Sequence, residues 1–203
     1  QNLIKKGVVI EKVLDSLILT EGVKQEDMIL GDKNAVMVAA RILAYGPEYE
    51  CEVTNPNTGN KFTQTFDLTK CPFVELPDGY TGNNFEMTLP ICKKKITFKL
   101  LTGKEETAVD NEIKSLNKVG GNVSRELTTR LRHTITSVDG DTDALTINTF
   151  VDNMLSRDSL FFRSELLRIS PDIDLTQEID IEGDTVEVGI PMTVNFFWPS
   201  TKK

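Results

Sequence analysis

Apolar side chains recur every three or four residues between Lys5 and Leu19. Val9, Val13 and Leu17 share one stripe, with Ile10 and Leu14 beside it. That period predicts an amphipathic helix with one adhesive face. A second helix is predicted after Gly31-Asp32, where Asp32 offers an N-cap and Ala35, Val36, Ala39, Ala40 and Leu43 keep the helical spacing up to Gly46-Pro47. The period then changes to two. Tyr49 to Thr54 and Phe62 to Leu68 alternate around Asn55-Pro56-Asn57-Thr58-Gly59-Asn60, a run of turn formers, and this predicts a β-hairpin.

A second hairpin is predicted from Asn84 to Leu89 and Lys95 to Leu101, bent through Pro90-Ile91-Cys92-Lys93. Thr102 then caps a helix whose first turn holds Glu105 and Glu106, complementing the helix dipole, and which ends by Gly120-Gly121. Ser124 opens another helix running past Leu127 and Leu131 to Ile135. Two more are expected at Thr146 to Leu155 and Ser159 to Ile169, before Pro171. Ile173 to Ile181 and Thr185 to Ile190 alternate around Glu182-Gly183-Asp184 as a third hairpin. Its polarity weakly echoes that of the first hairpin.

The chain then reaches Phe196-Phe197-Trp198. Burying such a run removes several hundred Å² of apolar area at about 25 cal/mol per Å², so the rings dock either on their own domain or on a partner.

Composition narrows the function classes. The 203 residues, 39% of them hydrophobic, suffice for one large domain or two small ones. Acidic residues outnumber basic ones 31 to 23, and the net charge of −8 opposes nonspecific binding to nucleic acid or an anionic membrane. No apolar run approaches the roughly 20 residues of a membrane span, and Gln1 to Lys6 lacks a signal-peptide layout, so a soluble, cytosol-made chain is expected. Cys51, Cys71 and Cys92 are widely spaced and odd in number, which suggests reduced thiols.

Candidate chemistry is sparse. The first hairpin turn has the outline of a zinc-ribbon knuckle, but Asn55 and Thr58 stand where thiolates belong, and neither replaces a thiolate at a structural zinc site. Asp180, Glu182 and Asp184 in the third hairpin turn offer only hard oxygen donors. Asp139-Gly140-Asp141-Thr142-Asp143 opens like a calcium loop, yet Ala144 and Phe150 fall where that loop requires glycine and glutamate; helix capping explains the acids better. His133 is the single histidine, with no nucleophile motif beside it. Lys118-Val119-Gly120-Gly121-Asn122 lacks the context of a phosphate loop, and Lys93-Lys94-Lys95 is a short basic tip. Phe161 and Phe162 are adjacent on a predicted helix and cannot share one narrow stripe, so either the helix is buried around much of its girth or one ring faces a neighbour.

Taken in order, the segments resemble the baseplate hub and hub-assembly proteins of T-even-type contractile-tailed bacteriophages. The resemblance is carried by Gly31-Asp32-Lys33 to Arg41-Ile42-Leu43-Ala44-Tyr45-Gly46, the hairpin Tyr49 to Leu68, and Phe85-Glu86-Met87-Thr88-Leu89-Pro90 through Phe98-Lys99-Leu100-Leu101-Thr102-Gly103. It continues through Ser137-Val138-Asp139-Gly140, Phe150-Val151-Asp152 to Arg157-Asp158, Pro171-Asp172-Ile173-Asp174 and Phe196-Phe197-Trp198-Pro199. Related phage proteins carry Cys-x-x-Cys-Gly knuckles at the two outer hairpin turns. This chain departs from them at Asn55, Thr58 and Glu182-Gly183-Asp184, which removes the expectation of metal but not of the fold. The resemblance implies a structural or assembly role in the virion tail baseplate. The chain would be made in the host cytoplasm, act as one subunit of a larger assembly, and lack enzymatic activity.

The expected fold is α+β: small antiparallel hairpins of degenerate zinc-ribbon type flanked by helices, with an inserted helical bundle. Its segments are 1–48 (N-terminal helical), 49–101 (β-hairpins), 102–170 (helical bundle) and 171–203 (C-terminal hairpin and aromatic tail), in one or two compact domains. Expected partners are other baseplate and tail proteins, with the tape-measure protein a candidate, bound through Val9, Val13, Leu17, Phe196, Phe197 and Trp198. No cofactor, metal, nucleic acid or membrane is expected. The alternatives are an assembly chaperone absent from the finished particle, a zinc-ribbon-derived nucleic-acid adaptor, and a hydrolase using His133.

Overall fold

The computed structural model describes residues 6–118, 124–181 and 183–199; for 6–10, 117, 124, 125 and 194 the description covers the backbone. The positions Gln1 to Lys5, the Gly120-Gly121 break and Glu182 lie outside it. In chain order the elements are α1 (Lys6–Leu17), α2 (Leu30–Tyr45), β1 (Glu48–Thr54), β2 (Lys61–Asp67), β3 (Phe73–Val74), β4 (Phe85–Thr88), β5 (Lys95–Phe98), α3 (Gly103–Lys118) and α4 (Ser124–Thr134). They continue with β6 (Ile135–Val138), α5 (Ala144–Asp152), α6 (Ser156–Ile169), β7 (Asp172–Ile173), β8 (Thr176–Ile181), β9 (Asp184–Gly189) and α7 (Val194–Phe197). The protein is α+β, with small antiparallel sheets of two or three strands.

The chain divides into two compact units, and the division regroups the segments expected from sequence. One unit combines the chain up to Gln25, Gly31–Val74 and the chain from Pro171 onward; the other combines Glu26–Leu30 with Glu75–Ser170. The segment 49–101 is therefore shared between units, because its first hairpin packs with the C-terminal hairpin and its second with the helices.

In the first unit, β1 and β2 pair from Glu48 opposite Asp67 to Thr54 opposite Lys61, and β8 and β9 pair from Thr176 opposite Gly189 to Ile181 opposite Asp184. The inward residues Tyr49, Val53 and Phe66 of one hairpin share a core with Val186, Val188 and Ile190 of the other, and with Val38 of α2 and Phe196 of α7. Two-stranded hairpins are marginal alone, so this shared apolar face is what holds both. A short pairing of β3 with β7, Phe73 opposite Ile173, ties the halves of the unit across a long stretch of sequence. Gly31 lies where a Cβ would overlap the Pro171 carbonyl, and Asn34 nearby donates to Asp172 Oδ1 at 3.0 Å. Asp32 falls in the first turn of α2 and not at its N-cap, since the helix begins at Leu30.

Arg41 closes the other end of α2. Its guanidinium donates to the carbonyls of Gly46 and Glu48, at 3.2 and 3.1 Å, and lies 4.9 and 5.7 Å from the Tyr45 and Tyr49 ring centres. Both carbonyls lie just past the helix, so the buried arginine fixes the turn from α2 into β1.

In the second unit, helices pack on a three-stranded sheet ordered β4-β5-β6. The sequence pattern carries the helix to Ile135; the structure ends α4 at Thr134 and makes Ile135–Val138 a strand against β5. All four residues from Thr134 to Ser137 are β-branched or hydroxylic and stiffen or compete with the helical backbone, while alternate positions can face the core. Phe85, Leu89, Ile96, Phe98, Leu131, Ile135, Val138, Phe162 and Ile169 build that core. At the start of α3 the Thr102 N–H and hydroxyl both donate to Glu105 Oε2, at 2.9 and 3.1 Å, and Asp143 caps α5 through the N–H groups of Leu145 and Thr146.

Candidate functional site

The residues singled out by sequence separate into internal and outward groups. Phe196 is fully buried, edge-on to Tyr49 with ring centres 4.9 Å apart, while the Tyr49 hydroxyl donates to the Pro191 carbonyl at 3.0 Å. Phe196 is therefore an anchor within its own chain and not a partner-facing ring. A four-residue helix, α7, turns the run so that its rings diverge: Phe197 is half-buried against the same core, and Trp198 is 47% exposed. The three rings remain a ladder of edge contacts, at 5.1 and 6.0 Å. On α1, Leu14 is buried, Val13 is half-buried and Leu17 is exposed. The Val9 backbone is helical, and its side chain lies outside the described residues.

The polar candidates are committed to local structure. In the first hairpin turn, Asn55 Oδ1 accepts the N–H of Asn57 at 2.8 Å and of Thr58 at 3.3 Å, and the Asn55 carbonyl accepts the N–H of Gly59. Asp180 Oδ1 accepts the N–H of Gly183 at 2.9 Å in the third hairpin turn. Asp139 takes the Lys95 N–H and the Lys94 ammonium, and these hold its carboxyl below the usual aspartate range. His133 Nε2 lies 2.9 Å from Glu112 Oε2, joining α4 to α3. Lys95 pairs with Glu86. Among the described residues no cluster of three or more His, Cys, Asp or Glu is placed to hold a metal ion. None of the three cysteines is in a disulfide; burial pushes the Cys51 thiol up to about 11.

The most distinctive surface is one that sequence left open. On α6 the two phenylalanines part: Phe162 is sealed in the core, edge-on to Phe98 at 4.9 Å, and Phe161 is 46% exposed. The inner face of α6 consists of Asp158, Ser159, Phe162 and Ile169. Its outer face is Arg157, Leu160, Phe161, Ser164, Leu167 and Arg168, all exposed, at offsets of 3, 4, 7, 10 and 11 from Arg157. Leu160 is 59% and Leu167 79% exposed. Three exposed apolar side chains, Leu160, Phe161 and Leu167, thus share one side of α6 with two arginines, opposite the side that the core buries. The signal was present in the sequence as two interleaved helical stripes, but only packing decides which one the core takes.

Comparisons with protein-family models, curated proteins and solved structures found no match to this chain. Among the described residues no helix is long and apolar enough to cross a membrane.

Proposed function

We propose that this chain is a structural or assembly component of the hub region of a contractile phage tail baseplate, working by protein–protein contact. The observation that carries adhesion is the outer face of α6, an ordered apolar stripe uncovered on a helix whose opposite side is locked into a core. Exposed Trp198 and Leu17 add apolar contact points on the other unit. Aromatic and leucine side chains flanked by arginine are the composition from which interface centres are built. The assignment to a baseplate rests on the ordered resemblance of sequence segments, and the acidic net charge fits a protein partner better than a nucleic acid.

Mass spectrometry of purified tails, compared with that of assembly intermediates, tests the reading. The chain is expected in both. Its presence in intermediates alone would replace the structural role with that of a chaperone, and its absence from both would remove the baseplate assignment.

A further inference from the structure

We infer that the outer face of α6 is a docking site for an acidic amphipathic helix of a partner protein. The inference rests on the reading of this chain as a contact protein and specifies what one of its surfaces binds. Three observations define the occupant. First, the stripe Arg157, Leu160, Phe161, Ser164, Leu167, Arg168 follows the helical repeat across most of α6, so its natural complement is another helix with apolar residues at matching intervals. Small Ser164 at its centre leaves room for a large side chain of the partner between Leu160 and Leu167, as in ridge-into-groove packing.

Second, the exposed charge around the stripe is basic. Arg157 and Arg163 are exposed and, among the described residues, have no carboxylate partner. Arg168 is held by Glu165, with Nε to Oε2 at 2.9 Å. The other acid of the helix, Asp158, is fully buried. Arg163 Nε donates to the Ser159 carbonyl at 3.4 Å, and an acidic helix would supply the carboxylates that both guanidinium groups lack at the rim.

Third, the same charges weigh against a second copy of this chain docking through α6 on α6. Such a pair would bring arginines against arginines, and on α6 itself the only acids are buried Asp158 and Glu165, which is paired with Arg168. The net charge of −8 also repels an acidic helix elsewhere on the protein, so attraction at α6 is local.

The test is a backbone-amide NMR titration of the full chain with three helical peptides. Each carries leucine at heptad a and d positions, with glutamate, glutamine or lysine at e and g. The glutamate peptide is expected to shift resonances of α6, to bind more tightly than the glutamine peptide, and to weaken with added salt. L160Q/L167Q should weaken it by about tenfold or more, the loss typical of central interface side chains. These are surface positions, so folding is retained. R157E/R163E should reverse the preference between the glutamate and lysine peptides at α6. Absence of α6 shifts with the glutamate peptide, or equal binding of the lysine peptide there in the unaltered chain, would overturn the inference. So would concentration-dependent α6 shifts without peptide, which would make a second copy the occupant. A negative titration with the chain present in purified tails sinks this inference alone; peptide binding with the chain absent from tails and intermediates sinks the baseplate reading alone.

Discussion

Asp158 Oδ2 accepts the main-chain N–H of Cys92 at 3.0 Å, while Oδ1 accepts that of Ile91 at 2.8 Å, so a fully buried carboxylate in the first turn of α6 holds the tip of the β4–β5 hairpin. Together with Phe162 and Ile169 in the core, this contact ties down the inner side of α6. Replacing Asp158 with alanine removes the shared acceptor of two part-buried N–H groups, at about 1 kcal/mol each. D158A is expected to lower the midpoint of a denaturant titration, and D158N to fall between it and the unaltered chain, because the amide keeps one acceptor and turns a donor towards the other N–H.

Acid should release this latch. Burial is the strongest influence on the Asp158 carboxyl and pushes its pKa up. The Ile91 and Cys92 N–H groups, the Cys92 thiol and the Lys93 ammonium together outweigh it and hold the carboxyl below the ordinary 3.8. A group lowered on folding adds stability above its unfolded value and loses that contribution as pH falls through its folded value. Stability is therefore expected to drop below about pH 4. The drop should be shallower in D158A, as measured by denaturant midpoints across an acid pH series.

The terminal aromatics should behave differently from one another. F196A empties a fully buried ring site in the first unit and is expected to cost about 3–5 kcal/mol. W198A alters a half-exposed ring and should change stability by about 0.5 kcal/mol or less, while weakening retention of partner proteins. Thermal unfolding of the two variants checks the contrast.

Thiol labelling offers a check on packing. Cys92 is exposed, Cys51 half-buried and Cys71 buried. Burial, followed by the Asp158 carboxylate, pushes the Cys92 thiol above its ordinary value. Iodoacetamide is expected to reach Cys92 first, slowly at neutral pH and faster as pH rises, and to reach Cys71 only after unfolding. Mass mapping of alkylated peptides reads the order.

Much of the element order was legible because it depends on local period and punctuation: Gly46-Pro47 ends α2, Asn55 to Asn60 turns the first hairpin, and Pro171 follows α6. What escaped depends on partners distant in sequence. Ile135–Val138 continues an apolar pattern compatible with a helix, and only its pairing with β5 makes it a strand. Gly31 looked like helix punctuation, yet its role is close approach to Pro171. Asp158 lies just before the helix predicted from Ser159, and nothing local announces that it accepts the N–H groups of Ile91 and Cys92. Phe196 and Trp198 are two residues apart in one aromatic run, and their opposite fates follow from a single helical turn.

The most direct test of the central claim, that this molecule acts by contact within a phage tail, is a cryo-electron microscopy map of the intact tail. The account predicts density for this chain in the hub region, with the outer face of α6 covered by a helix of another protein. A complete hub map without this chain, or with the chain present and that face open to solvent, would contradict it.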